Sequence, residues 1–524
     1  MPNRSTIITF ILLLATMAFF GIFDLWNERP HPLHIWRNAD CLSITQNYYD
    51  EGMNFGEPAI HNYISDDDTS GKTAGEFPGW YYLMALLWKI FGVNEGLYRF
   101  AVGGFFVLSL LVLQSATRRL IGDFWSVLLT VWLFVQPALV YYAFAFLSNV
   151  PALSFALLGL ALFIRYAIDG SKKHLYWMSF FYALAGLFKV TALLTFCTIG
   201  ALLLLEWIGL GLWPERKLFR NHKRDLLVMA VALLPNFIWY AWAAWYNGIH
   251  EGKYTFNGLW PLWEADASYR AEVWQGIIEF VGPQIMSPVN WVIALLTTFL
   301  GVFFAKRIPK ALWLAPIILF LGCLVYSVLW FQAWRNHDYY FINVYVWPLI
   351  ALGCIVGVNK MLNLPKVTER SIRVVGVLVL VWSFWYGQEH LELRIAPDYE
   401  KEYYTAMEQE EGELKYIFWD HDRHERGLLD IEPLLAEAGV GEDDLVVSIP
   451  DASYSITLYL MDRKGWSNMV NRNRNAESLQ EHIAKGAKYL VINEPEYEDE
   501  FPWVKEFMTD LVLEHRSIRV YRLN

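Results

Sequence analysis

Residues 97–117 read LYRFAVGGFFVLSLLVLQSAT, twenty-one positions with one charge, Arg99, near the start. At 1.5 Å of rise per residue, about 20 apolar residues cross the roughly 30 Å of hydrocarbon in a bilayer, so this stretch reads as a membrane-spanning helix. Outward from it, runs of the same kind recur near 6–23, 123–142, 150–168, 175–188, 190–210, 226–246, 287–305, 311–331, 340–359 and 373–388. The pair 175–188 and 190–210 can also be drawn as one interrupted span. The expectation is a polytopic α-helical membrane protein with about 11 transmembrane helices in residues 1–390. Composition agrees: 55% of residues are hydrophobic and 18% charged, where soluble proteins carry roughly a quarter charged. The first run is followed by Asp24-Leu25-Trp26-Asn27-Glu28 in place of a small-x-small cleavage site, so it is expected to stay as a first helix.

Lys and Arg in short loops resist translocation. Alternate connections hold Arg118/Arg119, Lys172/Lys173, Arg216/Lys217/Arg220/Lys223/Arg224, Lys306/Arg307/Lys310 and Lys360/Lys366/Arg370/Arg373. These loops are expected to be cytoplasmic, which puts the N-terminus inside and everything after 388 outside. The net charge of -11 is concentrated in the tail, which from Asp398 onward carries 28 acidic and 14 basic residues. Such a tail has no electrostatic attraction for nucleic acid. Strand-like segments Leu445–Ile449, Tyr489–Ile492 and Ile518–Tyr521 alternate with helical spacing at 431–438, 476–484 and 503–509. The tail, 398–524, is therefore expected to be an extracytoplasmic α/β domain. Cys41, Cys197, Cys323 and Cys354 lie far apart with no C-x-x-C pair, which argues against a disulfide framework or a zinc site.

The longest exported connection, 24–96, is far too long for a tight turn and is the first place to look for chemistry. It contains Trp36-Arg37-Asn38-Ala39-Asp40, the acid run Asp66-Asp67-Asp68 and Glu76-Phe77-Pro78, and it ends in an aromatic-rich apolar segment, Tyr81 to Phe91. That segment is too short to span and suits a helix lying in the interface. A carboxylate at the membrane surface can take the proton of an attacking hydroxyl, which makes Asp40 a candidate general base; the plainer reading is a solvated acid beside Arg37. Glu76 is a candidate to orient a substrate, against the same solvated alternative. The acid run offers hard oxygen ligands to a divalent metal, the one cofactor the sequence offers, although a solvated run is the plainer account.

In motif order and topology, residues 1–390 resemble the polytopic sugar transferases of the GT-C superfamily, in particular the bacterial branch near the aminoarabinose transferases of lipid A and the protein O-mannosyltransferases. The features that carry the resemblance are Asp40 early in the first exported loop, then Glu76-Phe77-Pro78, then Trp88-Lys89-Ile90-Phe91-Gly92 closing a short interfacial helix. Two departures stand out: the usual Asp-Glu pair is Asp40-Cys41 here, and the Lys of the Lys-Pro-Pro turn is replaced around Glu76-Phe77-Pro78. The resemblance implies Asp40 and Glu76 as catalytic residues, with Arg37 beside them as a substrate-binding residue. It implies Lys189, at an exported boundary, and Arg335, His337, Asp338 and Tyr339, at another, as contacts for the donor's phosphate or sugar. Snorkelling cations and interfacial aromatics are the plainer account of these positions. Ser148-Asn149-Val150-Pro151 reads as an N-cap, and Asp420-His421-Asp422-Arg423-His424 as a surface turn with metal-capable side chains.

Neither G-x-x-x-x-G-K-[ST], G-x-G-x-x-G nor G-x-S-x-G occurs, so nucleotide-driven transport, dinucleotide chemistry and serine hydrolysis lack support. The expectation is an enzyme of a bacterial plasma (inner) membrane that transfers a sugar, with inversion, from a polyprenyl-phosphate donor to a lipid, glycan or protein acceptor on the exported face. Its partners would be that donor, that acceptor and the membrane lipids. The alternatives are a transporter or flippase of polyprenyl-linked sugars, and a non-catalytic subunit of envelope assembly.

Overall fold

The structure is a computed structural model that describes residues 3–214, 216–253, 258–362, 365–395, 408–469, 473, 475–494 and 496–523. The expected start of the tail domain at 398 lies outside the described residues.

Every apolar run of the sequence is helical. Among the described residues, six helices are long and apolar enough to cross a membrane: Glu95–Ile121, Asn149–Asp169, Val190–Trp207, His222–His250, Ala311–Leu329 and Asp338–Met361. The number rises to eight if two bent pairs each count as one crossing, Asp123–Phe134 with Pro137–Ala143 at 76° and Ala267–Ile285 with Pro288–Phe304 at 91°. The expected eleven crossings are not reached by this measure. Arg4–Phe19 has only 16 residues, about 24 Å of helix, and Lys172–Phe188 has 17. Pro137 and Pro288 each open the second member of a bent pair, a position where the missing N–H has no helical partner to lose.

The chain divides into two compact units. The first comprises Met1–Trp26, Gly96–Trp239 and Gly258–Ala396. Its surface keeps large apolar side chains exposed, Phe303 at 85% and Phe237 at 69% among them, as suits a protein whose surrounding solvent is lipid. These helices are those of an integral membrane protein. Because lipid offers no hydrogen bonds, polar groups inside the unit must satisfy one another. Asn290 does this across helices: its amide donates to Ser383 Oγ at 2.9 Å and to Gln136 Oε1 at 3.3 Å, and its oxygen accepts from Trp132 Nε1 at 3.2 Å. Gly387 permits the close approach of Lys366–Ile395 to the backbone, since a Cβ there would lie 2.0 Å from the carbonyl oxygen of Val135.

The second unit comprises Asn27–Glu95, Tyr240–Asn257 and Pro397–Asn524, so the long loop 24–96 and the tail fall in one unit. Its sheet has five strands, β1 (Leu445–Ile449), β2 (Gly465–Ser467), β3 (Ala487–Ile492), β4 (Asp510–His515) and β5 (Ile518–Arg522), in the order β2-β1-β3-β5-β4. The β2–β1–β3 half is parallel and the β3–β5–β4 half antiparallel. Helices Glu432–Glu437 and Ala476–Ala484 and the 3-10 turn Pro502–Phe507 fall where the spacing predicted helix. The loop 24–96 extends the sheet edge. Gly465 N–H donates to His61 O at 3.2 Å, Tyr63 N–H donates to Gly465 O at 2.7 Å, and Asn62 Nδ2 donates to Ser467 Oγ at 2.6 Å.

Candidate functional site

The loop 24–96 places two helices, Ile35–Asp50 and Gly79–Phe91, against each other. The second has the one-sided character expected of an interfacial helix: Trp80, Tyr81, Met84 and Trp88 are buried, while Leu83, Leu86, Ile90 and Phe91 are exposed. The first carries Asp40, which is fully buried. Arg37, one turn earlier, donates to the Glu76 carboxylate, and Tyr81 donates to the same carboxylate from the second helix. Cys41 Sγ lies 3.4 Å from Tyr81 Oη. Burial pushes the Cys41 thiol up to about 11, with Arg37 opposing, while Glu76 and Asp40 add to the rise, so all four groups share one electrostatic neighbourhood. The loop thus brings Arg37, Asp40 and Glu76 together.

A residue that sequence reasoning missed stands beside them. Tyr454, in the turn after β1, packs edge-on to Trp36 with ring centroids 5.9 Å apart. Burial raises its hydroxyl pKa, and the nearby Asp40 charge raises it further. Nothing local in the sequence marks Tyr454, because its significance depends on the tail folding against the loop.

The acid run is tied down by cations. Asp66 pairs with His250 at 2.8 Å, Asp68 with Lys253 at 3.5 Å, and Lys485 approaches both Asp67 and Asp68. Asp420–His424 is the end of helix Glu408–His424 and not a surface turn, with His424 paired to Asp420 at 3.1 Å and His421 to Glu425 at 2.6 Å. Among the described residues no group of three or more His, Cys, Asp or Glu side chains is arranged to hold a metal ion.

The remaining candidates lie in the helical unit. Lys189 is half-buried at the break between Lys172–Phe188 and Val190–Trp207. Next to that break, Asn343 Nδ2 donates to Thr191 Oγ1 at 3.0 Å, which connects it to the segment that carries His337, Asp338 and Tyr339. Asp338 is almost fully buried. It pairs with Arg394, itself fully buried, and accepts from Tyr142 Oη at 2.5 Å. Arg335 is exposed and pairs with Glu272 at 3.4 Å. His337 packs edge-on to Tyr339. Asn149 donates to Tyr339 O at 3.1 Å, and Ser148 makes no side-chain cap bond, so this turn anchors the Tyr339 segment where an N-cap was expected.

No family model matches the chain, and no curated protein matches it by sequence. Solved structures match over nearly its whole length. ArnT from Cupriavidus metallidurans in the apo state gives a TM-score of 0.56 at 14% identity, over 98% of this chain and 97% of that one. The same protein bound to undecaprenyl phosphate gives 0.55 at 13% identity, over 98% and 97%. The Archaeoglobus fulgidus oligosaccharyltransferase in the apo form gives 0.53 at 11% identity, over 94% and 69%. All are GT-C glycosyltransferases. The chain has the GT-C fold.

Within the GT-C fold of this chain, the residues read from sequence divide into two clusters, Arg37–Asp40–Glu76 in the loop and Arg335–Tyr339 among the helices. Arg394 escaped the sequence reading because an arginine at the end of an apolar run looks like an ordinary snorkelling terminus.

Proposed function

We propose that the protein transfers a sugar from a polyprenyl-phosphate donor to a lipid, glycan or protein acceptor on the exported face of the membrane, with inversion at the anomeric carbon. The observation that carries this reading is a carboxylate, Asp40, withdrawn from bulk water within a cluster that also holds Arg37 and Glu76. The GT-C fold and the undecaprenyl phosphate bound by ArnT support it. In the step envisaged, the acceptor oxygen bonds to the anomeric carbon as the bond to the phosphate oxygen breaks. The electron pair leaves on the polyprenyl phosphate, and the acceptor's proton passes to Asp40. Glu76, held by Arg37 and Tyr81, fixes the cluster's geometry. Lys189, Arg335, His337 and Tyr339 are the proposed contacts for phosphate or sugar, since charge develops on the leaving phosphate. Asp338, engaged by Arg394 and Tyr142, steadies their segment.

The membrane topology that belongs to this reading has about 11 crossings, a cytoplasmic N-terminus, an exported tail and a bacterial inner-membrane location. The test uses membranes supplied with radiolabelled undecaprenyl-phosphate sugars. Label that becomes covalently attached to an acceptor supports a transferase, and label that only changes leaflet makes the protein a flippase.

A further inference from the structure

Trp36 and Asp40 are four residues apart on helix Ile35–Asp50, so they share a face one turn apart. Asp40 is fully buried, whereas Trp36 is 37% exposed, so the same helix face runs from the surface at the indole to the interior at the carboxylate. A second ring comes from the tail. Tyr454 meets the Trp36 ring edge-on at 5.9 Å and stays partly exposed.

The turn that presents Tyr454 is held at nearly every polar atom. Asp451 accepts from Ser453 N–H at 2.8 Å, from Thr457 N–H at 3.0 Å and from Thr457 Oγ1 at 2.6 Å. Ser453 Oγ accepts from Ile456 N–H at 2.8 Å, and Ser467 Oγ donates to Ser453 O at 2.5 Å. The helix that follows, Ile456–Leu460, is fastened to both ends of the exported loop, because Tyr459 Oη donates to Glu95 at 2.6 Å and Glu95 pairs with Arg29 at 3.3 Å. A ring pair kept in place this firmly, partly exposed and one helical turn from a buried carboxylate, has the composition of a ligand site: aromatic walls with few polar groups. Aromatic faces bind apolar surface, and tyrosine adds a polar tip. The alternating C–H face of a sugar ring matches both.

We propose that Trp36 and Tyr454 form a shelf that seats a sugar ring beside Asp40, which makes the tail's Asp451–Ser455 turn a substrate-selecting element. The inference rests on the reading of Asp40 as the reacting centre. The ring belongs either to the donor or to a glycan acceptor, and the two are separable.

The experiment uses the full chain in nanodiscs, as wild type and as Tyr454→Ala, Tyr454→Phe and Trp36→Leu. Binding is measured for undecaprenyl phosphate and for its mannosyl, glucosyl and arabinosyl derivatives, together with the KM for membrane acceptors in the label-transfer assay. If the shelf holds the donor sugar, Tyr454→Ala and Trp36→Leu weaken the sugar-bearing lipids by about tenfold and leave undecaprenyl phosphate unchanged. If it holds the acceptor, donor binding stays constant and the acceptor KM rises by a similar factor. In both cases Tyr454→Phe, which keeps the ring and loses the hydroxyl, has a smaller effect than Tyr454→Ala. Unchanged donor affinities together with an unchanged acceptor KM in both Tyr454→Ala and Trp36→Leu would overturn the shelf. That outcome leaves the transferase reading standing, which fails only if the wild type itself attaches no label.

Discussion

The two units of this protein bury polar groups in different ways, and the difference separates scaffold from site. In the helical unit, buried polar side chains such as Asp338, Arg394 and Tyr142, or Asn290, Ser383 and Gln136, pair with one another, closed off from solvent. In the second unit, Arg37, Asp40, Cys41, Glu76 and Tyr81 share one neighbourhood, and Trp36, on the same helix as Asp40, meets the partly exposed Tyr454 ring. Pairs of the first kind specify how helices pack. The second kind is the one we read as meeting a substrate.

The largest expected effect tests the closed character of the helical unit. Arg394→Ala leaves the Asp338 carboxylate buried without its cation and should lower stability by about 3–5 kcal/mol, read as thermal unfolding in detergent. The apolar double variant Asp338→Leu with Arg394→Met should recover most of that loss. If the double variant is as unstable as the single, the pair does more than fix packing. Next, Gly387→Val forces a side chain against the Val135 carbonyl and should cost about 2 kcal/mol in the same measurement. A neutral result would mean that the Lys366–Ile395 helix does not need this close approach.

In the loop cluster, Glu76→Gln takes the charged partner from Arg37 and loosens the geometry around Asp40. The expectation is about a tenfold fall in kcat, near 1.4 kcal/mol of barrier, with little change in unfolding temperature. A fall in stability with unchanged kcat would make Glu76 part of the scaffold. The smallest effect concerns the seam of loop and tail. The His61 ring, whose Nε2 lies 3.6 Å from Asp462 Oδ1, depresses the Asp462 carboxyl below its usual value, with burial opposing. A depressed carboxyl stabilises the fold above the ordinary aspartate value, near 3.9, and this contribution disappears as pH falls through the lower folded value. Asp462→Asn should therefore unfold earlier than wild type at pH 7 and match it at about pH 2. A difference that persists in acid would assign the effect to packing.

The helices were legible in the sequence because lipid imposes a long, continuous signal. The sharp bends at Pro137 and Pro288 were less so, and the expected count of crossings suffered for it. The residues Arg37 and Asp40 were legible through local aromatic and charged patterning, though the helix Ile35–Asp50 that carries them was not, and three strands of the tail were. Strand β2 was not: Gly465-Trp466-Ser467 is three residues long and opens with glycine at φ +147°, and it pairs with exported-loop residues remote in the chain. Tyr454 and Arg394 were missed for the same physical reason, since each takes its meaning from a partner brought close only by folding.

The central claim is that the buried Asp40 carboxylate accepts the acceptor's proton. The most direct measurement compares wild type and Asp40→Asn at equal expression, in membranes supplied with radiolabelled undecaprenyl-phosphate sugars. The account predicts that covalent transfer falls by about 10²–10⁴-fold while undecaprenyl phosphate still binds. Transfer by Asp40→Asn at the wild-type rate would contradict it.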